Sequence, residues 1–217
     1  MKKQFIVAVA VAAVGMSAFA ADVNVTNSIG TSTTWYTTNV YHLQDVIYVT
    51  NGATLTIEAG TKVIGYSNTE LNQSDSSALV IARGSKIEAV GTEENPIVFT
   101  SSHDNGSWRP SNQEWGNLTI LGEAYIADNG DNGVQPQDSS DQMEGLSSAP
   151  GGISQYGGTN DDDNSGTLKY VSLRFGGSVI GTANELNGLS MGGVGAGTTI
   201  DHIEIMNNVD DGIEIWG

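Results

Sequence analysis

The stretch NNVDDGIEIWG places two adjacent carboxylates, Asp210 and Asp211, between two runs of apolar residues. Hydrolysis of a glycosidic bond needs two carboxyl groups, about 5.5 Å apart for retention or about 6.5–9.5 Å apart for inversion, with one pKa raised. Asp201 and Glu204, in the preceding run TIDHIEI, are further candidates. These four residues are the candidate acids of a glycan-cleaving site. Because Asp and Asn readily adopt the backbone angles of turns, the sequence favours the alternative, a plain turn at 210–211.

The stretch DDDNSG carries oxygen-bearing side chains at alternate positions, namely Asp161, Asp163 and Ser165, before Gly166. This is the spacing by which the first half of a calcium-binding loop directs oxygens at one ion. The pattern departs from an EF-hand, since its twelfth position is Ser172 and not glutamate. Calcium is therefore the candidate cofactor, with the remaining ligands supplied from elsewhere. A solvated turn that precedes a strand is the alternative, and it needs no ion.

Two other patterns suggest chemistry less specifically. Arg174 is the candidate base of a calcium-dependent polysaccharide lyase, since its strand lies beside the candidate acids. The stretch GLSMG has the spacing of a serine nucleophile, but it leads into another strand and not into the helix that such a site requires. Five aromatic side chains near loops could stack on sugar rings: Trp35, Tyr36, Trp108, Trp115 and Tyr156.

The elements that must position these residues are short strands. Apolar and polar residues alternate in runs of three to eight that are bounded by Gly, Asn, Asp or Pro, and helical periodicity is nearly absent after the first twenty residues. Several runs recur at an offset of 32, so that Leu168 matches Ile200 and Leu55 matches Ile87. Other matches have different offsets, 39 from Leu79 to Leu118 and 24 from Leu189 to Ile213, because loops vary in length. This pattern predicts an all-β chain folded as a parallel β-helix, in which short strands stack while loops vary in length. It also predicts that Lys169 stacks on Asp201, and it places Glu204 on Ser172.

Several longer segments resemble a known family. They are LVIARGSKIEAVGTEENPIVFTS, WGNLTILGEA, YGGTNDDDNSGTLKYVSLRFGG and NGLSMGGVGAGTTIDHIEIMNNVDDGIEIWG. The sequence is similar, over roughly residues 45–217, to an uncharacterised family of secreted bacterial proteins with a right-handed parallel β-helix of pectin-lyase type. The resemblance implies a right-handed helix, members longer than this chain, and no assigned reaction.

The domain organisation expected from these patterns is a signal peptide at 1–20, an N-terminal lead-in or cap at 21–45, and the β-helix at 46–217. Polar loop excursions are expected at about 65–77, 101–114 and 122–166. Because the last strand leaves an open edge, we expect the helix to be incomplete at its C-terminal end, with end-to-end self-association as one consequence.

Charge and export signals narrow the class of partner. The chain carries 25 Asp and Glu against 8 Lys and Arg, a formal net charge of −17, which disfavours nucleic acid and anionic membranes. Two lysines, an apolar run and the motif Ala18-Phe19-Ala20 are typical of a secretory signal peptide, and the run is too short for a membrane span. With no cysteine, the chain can form no disulfide.

The sequence therefore predicts an exported protein, extracellular, on the cell surface or in the periplasm. Its predicted role is surface- or matrix-type binding or structural, with neutral glycans or surface components as partners and calcium as a candidate stabiliser. The alternative is a glycoside hydrolase or polysaccharide lyase on the same scaffold. The two differ in whether the candidate carboxylates converge on one groove.

Overall fold

A computed structural model describes residues 20–127, 140–146, 150–178 and 186–217. The predicted signal peptide lies outside these residues, except for Ala20, and so does part of the predicted excursion at 122–166. Among the described residues, no helix is long and apolar enough to cross a membrane.

The described part of the chain is built almost entirely of short strands. The single α-helix there, α1, spans Asn68–Leu71, and a 3₁₀ turn spans Pro150–Gly152. The strands are β1 (Ala21–Val25), β2 (Thr33–Trp35), β3 (Asn39–Leu43), β4 (Val46–Val49), β5 (Thr54–Ile57), β6 (Lys62–Gly65), β7 (Ala78–Ile81), β8 (Lys86–Val90), β9 (Ile97–Ser101), β10 (Leu118–Leu121), β11 (Asp141–Gln142), β12 (Gln155–Tyr156), β13 (Gly166–Arg174), β14 (Leu189–Gly192), β15 (Thr199–Met206) and β16 (Ile213–Trp216).

Within the described ranges these strands form two parallel sheets. One has nine strands in the order β1-β3-β6-β9-β13-β8-β5-β2, with β15 also paired to β13, and the other has five in the order β16-β14-β10-β7-β4. A small antiparallel pair, β11-β12, lies apart from them. Because non-consecutive strands pair in parallel, the chain winds into stacked coils, which confirms the predicted all-β parallel β-helix.

Strands β13 and β15 run around a corner between two faces of the helix. The first part of β13 pairs with β8 and the second part with β9. At the corner, Tyr170 (φ 49°) and His202 (φ 53°) adopt the left-handed backbone conformation, which turns the strand direction without breaking the stack. This corner divides the residues of β15 between two faces.

The predicted 32-residue offset is confirmed where strands of equal loop length stack. Leu55 pairs with Ile87, and Leu168 pairs with Ile200. The expected offsets of 39, from Leu79 to Leu118, and 24, from Leu189 to Ile213, are also the observed registers. The offsets between matching runs of the sequence therefore identify strands that stack in neighbouring coils.

Stacked apolar side chains fill the inside of the helix. Ile57, Ala89 and Leu168 occupy one position in successive coils and are almost fully buried, and Ile200 continues the row while partly buried. Burying each large aliphatic side chain contributes roughly 1.5–3 kcal/mol. Ile213 and Ile215 stack on the core residues Leu189 and Met191, yet they are 46% and 74% exposed.

Two segments differ from the simplest sequence expectation. The expected lead-in at 21–45 contributes β1, β2 and β3 to the nine-stranded sheet, so parallel pairing begins at Ala21.

The described part of the 122–166 excursion carries apolar side chains that cover the outer side of the five-stranded sheet. This second apolar cluster contains Tyr48, Val80, Leu121, Met143, Leu146 and Tyr156. Arg83 holds the excursion in place, since its Nη1 donates to the Gly157 carbonyl at 2.9 Å.

Candidate functional site

Asp201 lies on the outer side of β15 and pairs with a lysine, as the repeat predicted. Its Oδ2 is 3.0 Å from Lys169 Nζ, and its Oδ1 is 2.6 Å from His202 Nδ1. The hydrogen bond from Lys169, followed by that from His202, lowers the pKa of Asp201. The carboxyl is therefore held in its ionised form, which suits a structural ion pair better than a proton donor.

Glu204 also lies on the outer side of β15, beyond the corner. It stacks on Ser172, whose hydroxyl donates to Glu204 Oε2, and Arg174 Nη2 donates to the same oxygen at 3.1 Å. The Ser172 hydrogen bond is the main cause of its lowered pKa, and Arg174 adds to it. Asp201 and Glu204 have different hydrogen-bond partners.

Asp210 and Asp211 occupy the exposed turn between β15 and β16. The Asp211 N–H donates to Asn187 Oδ1 at 3.1 Å, and the Asp211 carbonyl accepts from Gly188 N at 2.9 Å. These contacts join the turn to the segment that precedes β14. A catalytic role for Asp201, Glu204, Asp210 or Asp211 stays a prediction.

Glu214, on β16, is a candidate acid that the sequence analysis did not identify. Burial raises its pKa, and the negative charges of Glu144, Asp211 and Asp210 raise it further. Its side chain accepts a hydrogen bond from Asn187 Nδ2. The only signal in the sequence is its position three residues after the aspartate pair. In glycoside hydrolases the general acid is a carboxyl group whose surroundings raise its pKa.

The best-formed surface feature on the outer side of β13 and β15 is a shallow groove around Arg174, which we call the Arg174 groove. One part, of about 240 Å³, is lined by Tyr170, Ser172, Arg174, His202 and Glu204, with Pro96 and Val171. The Tyr170 and His202 rings stack there with centroids 4.3 Å apart. The other part, of about 90 Å³, is lined by Arg174 with Asp104, Gly106, Ser107, Trp108, Phe175 and Met206.

Trp108 is the exposed aromatic of this groove. Its side chain is 71% exposed, and it lines the same cavity as Arg174. The expectation that all five aromatics are available for stacking is wrong for three of them. Trp35, Trp115 and Tyr156 are buried, because large rings fill the interior and the second apolar cluster, whereas Tyr36 is 51% exposed.

The loop at 101–114 carries Trp108 and is fixed by the neighbouring arginine. Arg109 makes a two-pronged ion pair with the buried Glu114, and its guanidinium lies 4.3 Å from the centroid of the Phe175 ring. The Arg109 carbonyl accepts from Asn207 Nδ2 at 2.8 Å, which ties the loop to the end of β15. The sequence predicted a polar loop here but not this ion pair, because neither residue belongs to a recognisable motif.

The candidate calcium turn is closed by its own hydrogen bonds. Ser165 Oγ donates to Asp163 Oδ2 at 2.9 Å, whereas Asp161 Oδ1 accepts from Tyr125 N at 3.2 Å. Asn164 Oδ1 accepts from Gly166 N at 2.8 Å, an Asx turn of the kind the alternative interpretation expects. Among the described residues, no group of three or more His, Asp or Glu side chains is arranged to hold a metal ion. The Asp163 and Asp161 carboxylates therefore accept hydrogen bonds from different partners.

Thermal unfolding in calcium and in chelator separates the two interpretations of this turn. Calcium held by Asp161, Asp163 and Ser165 predicts a melting temperature several degrees higher in millimolar calcium, because a ligand that binds only the folded state stabilises it. The variant Asp161→Asn is expected to remove that increase. A hydrogen-bonded turn without an ion predicts equal melting temperatures in both solutions.

A comparison with known families gives one match. A family model described as a pectate-lyase like beta helix domain matches residues 27–217. No curated protein and no solved structure matches the chain.

Proposed function

The chain belongs to the family of pectate-lyase-like β-helix domains, and on that premise we propose that it is an exported surface- or matrix-type protein that binds neutral glycans in the Arg174 groove. The observation that carries the proposal is Trp108, an exposed indole that shares a cavity with Arg174. Large exposed aromatic side chains are costly to leave in water and are enriched in binding sites.

The chemistry of the groove suits a sugar chain. The Trp108 indole offers an apolar face for the C–H face of a sugar ring, and the stacked Tyr170 and His202 rings lie in the part of the groove beyond Arg174. Between them, Arg174 and Glu204 present a donor and an acceptor for sugar hydroxyls. The net charge of −17 disfavours polyanionic glycans, so neutral chains are the preferred class.

Export is the second part of the proposal. It is supported by the lysines, apolar run and Ala18-Phe19-Ala20 motif of the first twenty residues, and by a surface that suits neither nucleic acid nor anionic membrane. Calcium stays a candidate stabiliser of the 160–166 turn. A glycoside hydrolase on the same scaffold is the second candidate, and the raised pKa of Glu214 is the observation that favours it.

Removing the indole is the direct test of the groove. We expect Trp108→Ala to weaken binding of neutral oligosaccharides by about tenfold, which is about 1.4 kcal/mol, because the stacking surface is lost. Isothermal titration against a panel of neutral oligosaccharides measures the change, and assays for newly released reducing ends in the same mixtures separate binding from hydrolysis.

Tyr36, a second exposed aromatic residue, provides a matched control. Tyr36 is not among the residues lining the groove, so Tyr36→Ala is expected to leave the affinity unchanged. Equal losses in the two variants, or no binding of any neutral oligosaccharide by the unaltered protein, would contradict the proposed function.

A further inference from the structure

A second cavity lies where α1 approaches the loop at 101–114, and it is separate from the Arg174 groove in its lining residues. Its volume is about 520 Å³, within the range of small-molecule sites. Its walls carry hydroxyl, amide, imidazole and carboxylate groups, and they include no aliphatic side chain: Ser67, Asn68, Thr69, His103, Asn112, Gln113, Glu114 and Ser178. Such a lining suits a hydrophilic ligand.

Glu114, the carboxylate that lines this cavity, is already engaged in hydrogen bonds, and so is Glu70, which lies near the cavity but is not among its lining residues. Glu114 accepts from Arg109, Ser101 and Ser111. Glu70, which lies 3.5 Å from His103 Nε2, accepts from the backbone N–H and hydroxyl of Ser67 and from the Ser102 hydroxyl. The ion pair with Arg109 compensates the charge of Glu114 and occupies both of its oxygens, so this carboxylate offers little to a bound cation.

The amide groups, by contrast, are free to bind a ligand. Asn112 and Gln113 are exposed, and neither side chain has a hydrogen-bond partner within the described part of the chain. Gln113 is held in the left-handed backbone conformation at φ 59°, and its N–H donates to the Gly176 carbonyl at 3.0 Å. A non-glycine residue kept in this conformation by its surroundings is common at binding sites. The loop therefore presents two exposed amides in the same cavity lining as His103 and Thr69.

We propose that this cavity binds one or two units of a neutral saccharide through Asn112, Gln113, His103 and Thr69. Amide side chains and sugar hydroxyls both contain hydrogen-bond donors and acceptors. An amide can therefore pair with a sugar hydroxyl, and neither group needs to be charged. The exposed His103 ring lies between the two carboxylates, with Nε2 3.5 Å from Glu70 Oε1 and Nδ1 4.0 Å from Glu114 Oε2. The site stands on different residues from the Arg174 groove and does not require it.

The test is titration of the protein with glucose, galactose, mannose, cellobiose and lactose, followed by ligand-observed NMR and calorimetry. We expect millimolar binding of at least one of these sugars, which Asn112→Ala and Thr69→Val each weaken by about tenfold or more. The control Asn27→Ala removes an exposed asparagine outside the cavity and is expected to have no effect. Trp108→Ala is expected to leave this binding intact, which separates the cavity from the groove.

Three results would overturn the proposal. They are the absence of binding by every sugar of the panel, unchanged affinity in both Asn112→Ala and Thr69→Val, and tighter binding of galacturonate than of galactose. Asn112 and Thr69 are exposed and are not part of either apolar cluster, so both variants are expected to melt close to the unaltered protein. A loss of sugar affinity at an unchanged melting temperature then comes from the cavity and not from unfolding.

Discussion

Replacing Gly166 by alanine is expected to lower the free energy of unfolding by about 4 kcal/mol. Gly166 begins β13 with φ at +111°, a conformation that side chains other than hydrogen rarely allow. A Cβ at this position would lie 1.9 Å from the Ile87 carbonyl oxygen and 2.7 Å from its carbon. The strand cannot move away cheaply, because Ile87 N donates to the Ser165 carbonyl at 3.0 Å across the same two coils.

A matched glycine separates crowding from backbone strain. Gly106 also has a positive φ, +79°, but a Cβ there would meet no atom within 4 Å. Gly106→Ala is therefore expected to cost only about 1 kcal/mol. Urea unfolding of both variants measures the difference. Equal costs would show that strain alone, and not contact with Ile87, sets the requirement for glycine at 166.

Stacking in this fold could be predicted from the sequence wherever two coils have equal length. Alternation of apolar residues gave the inward direction, and a constant offset then gave the partner, as for Lys169 and Asp201. The prediction did not connect the coils on either side of the longest excursion, at 122–166. Ile87 pairs with Gly166, 79 positions later, and nothing in the intervening sequence marks the chain as returning to the same face.

The candidate site was predictable only in part for the same reason. Tyr170, Ser172 and Glu204 could be placed on adjoining strands, because strand periodicity applies to them. Trp108 could not, since a loop has no periodicity and its position depends on the ion pair between Arg109 and Glu114. The burial of Tyr156 could not be predicted either, because most of its partners in the second apolar cluster are distant in sequence.

Replacing Glu114 by glutamine is expected to lower the free energy of unfolding at neutral pH by about 3 kcal/mol, because the partly buried Arg109 guanidinium loses its charged partner. Glu204→Gln is the control. The ion pair of Glu204 with Arg174 is more exposed, and its loss is expected to cost less than about 1 kcal/mol.

The pH dependence of this loss tests its electrostatic origin. Burial alone would raise the pKa of Glu114, but hydrogen bonds from Arg109, Ser101 and Ser111 lower it from the ordinary 4.5 to about 2. A lowered pKa in the folded state means that the stabilisation is fully present above pH 4.5 and is lost as the pH falls towards 2. Glutamine resembles protonated glutamate, so the difference between the unaltered protein and Glu114→Gln is expected to shrink over this interval. Urea unfolding at a series of pH values measures it, and a difference that stayed constant down to pH 2 would mean that packing, and not the charge of Glu114, stabilises the loop carrying Trp108.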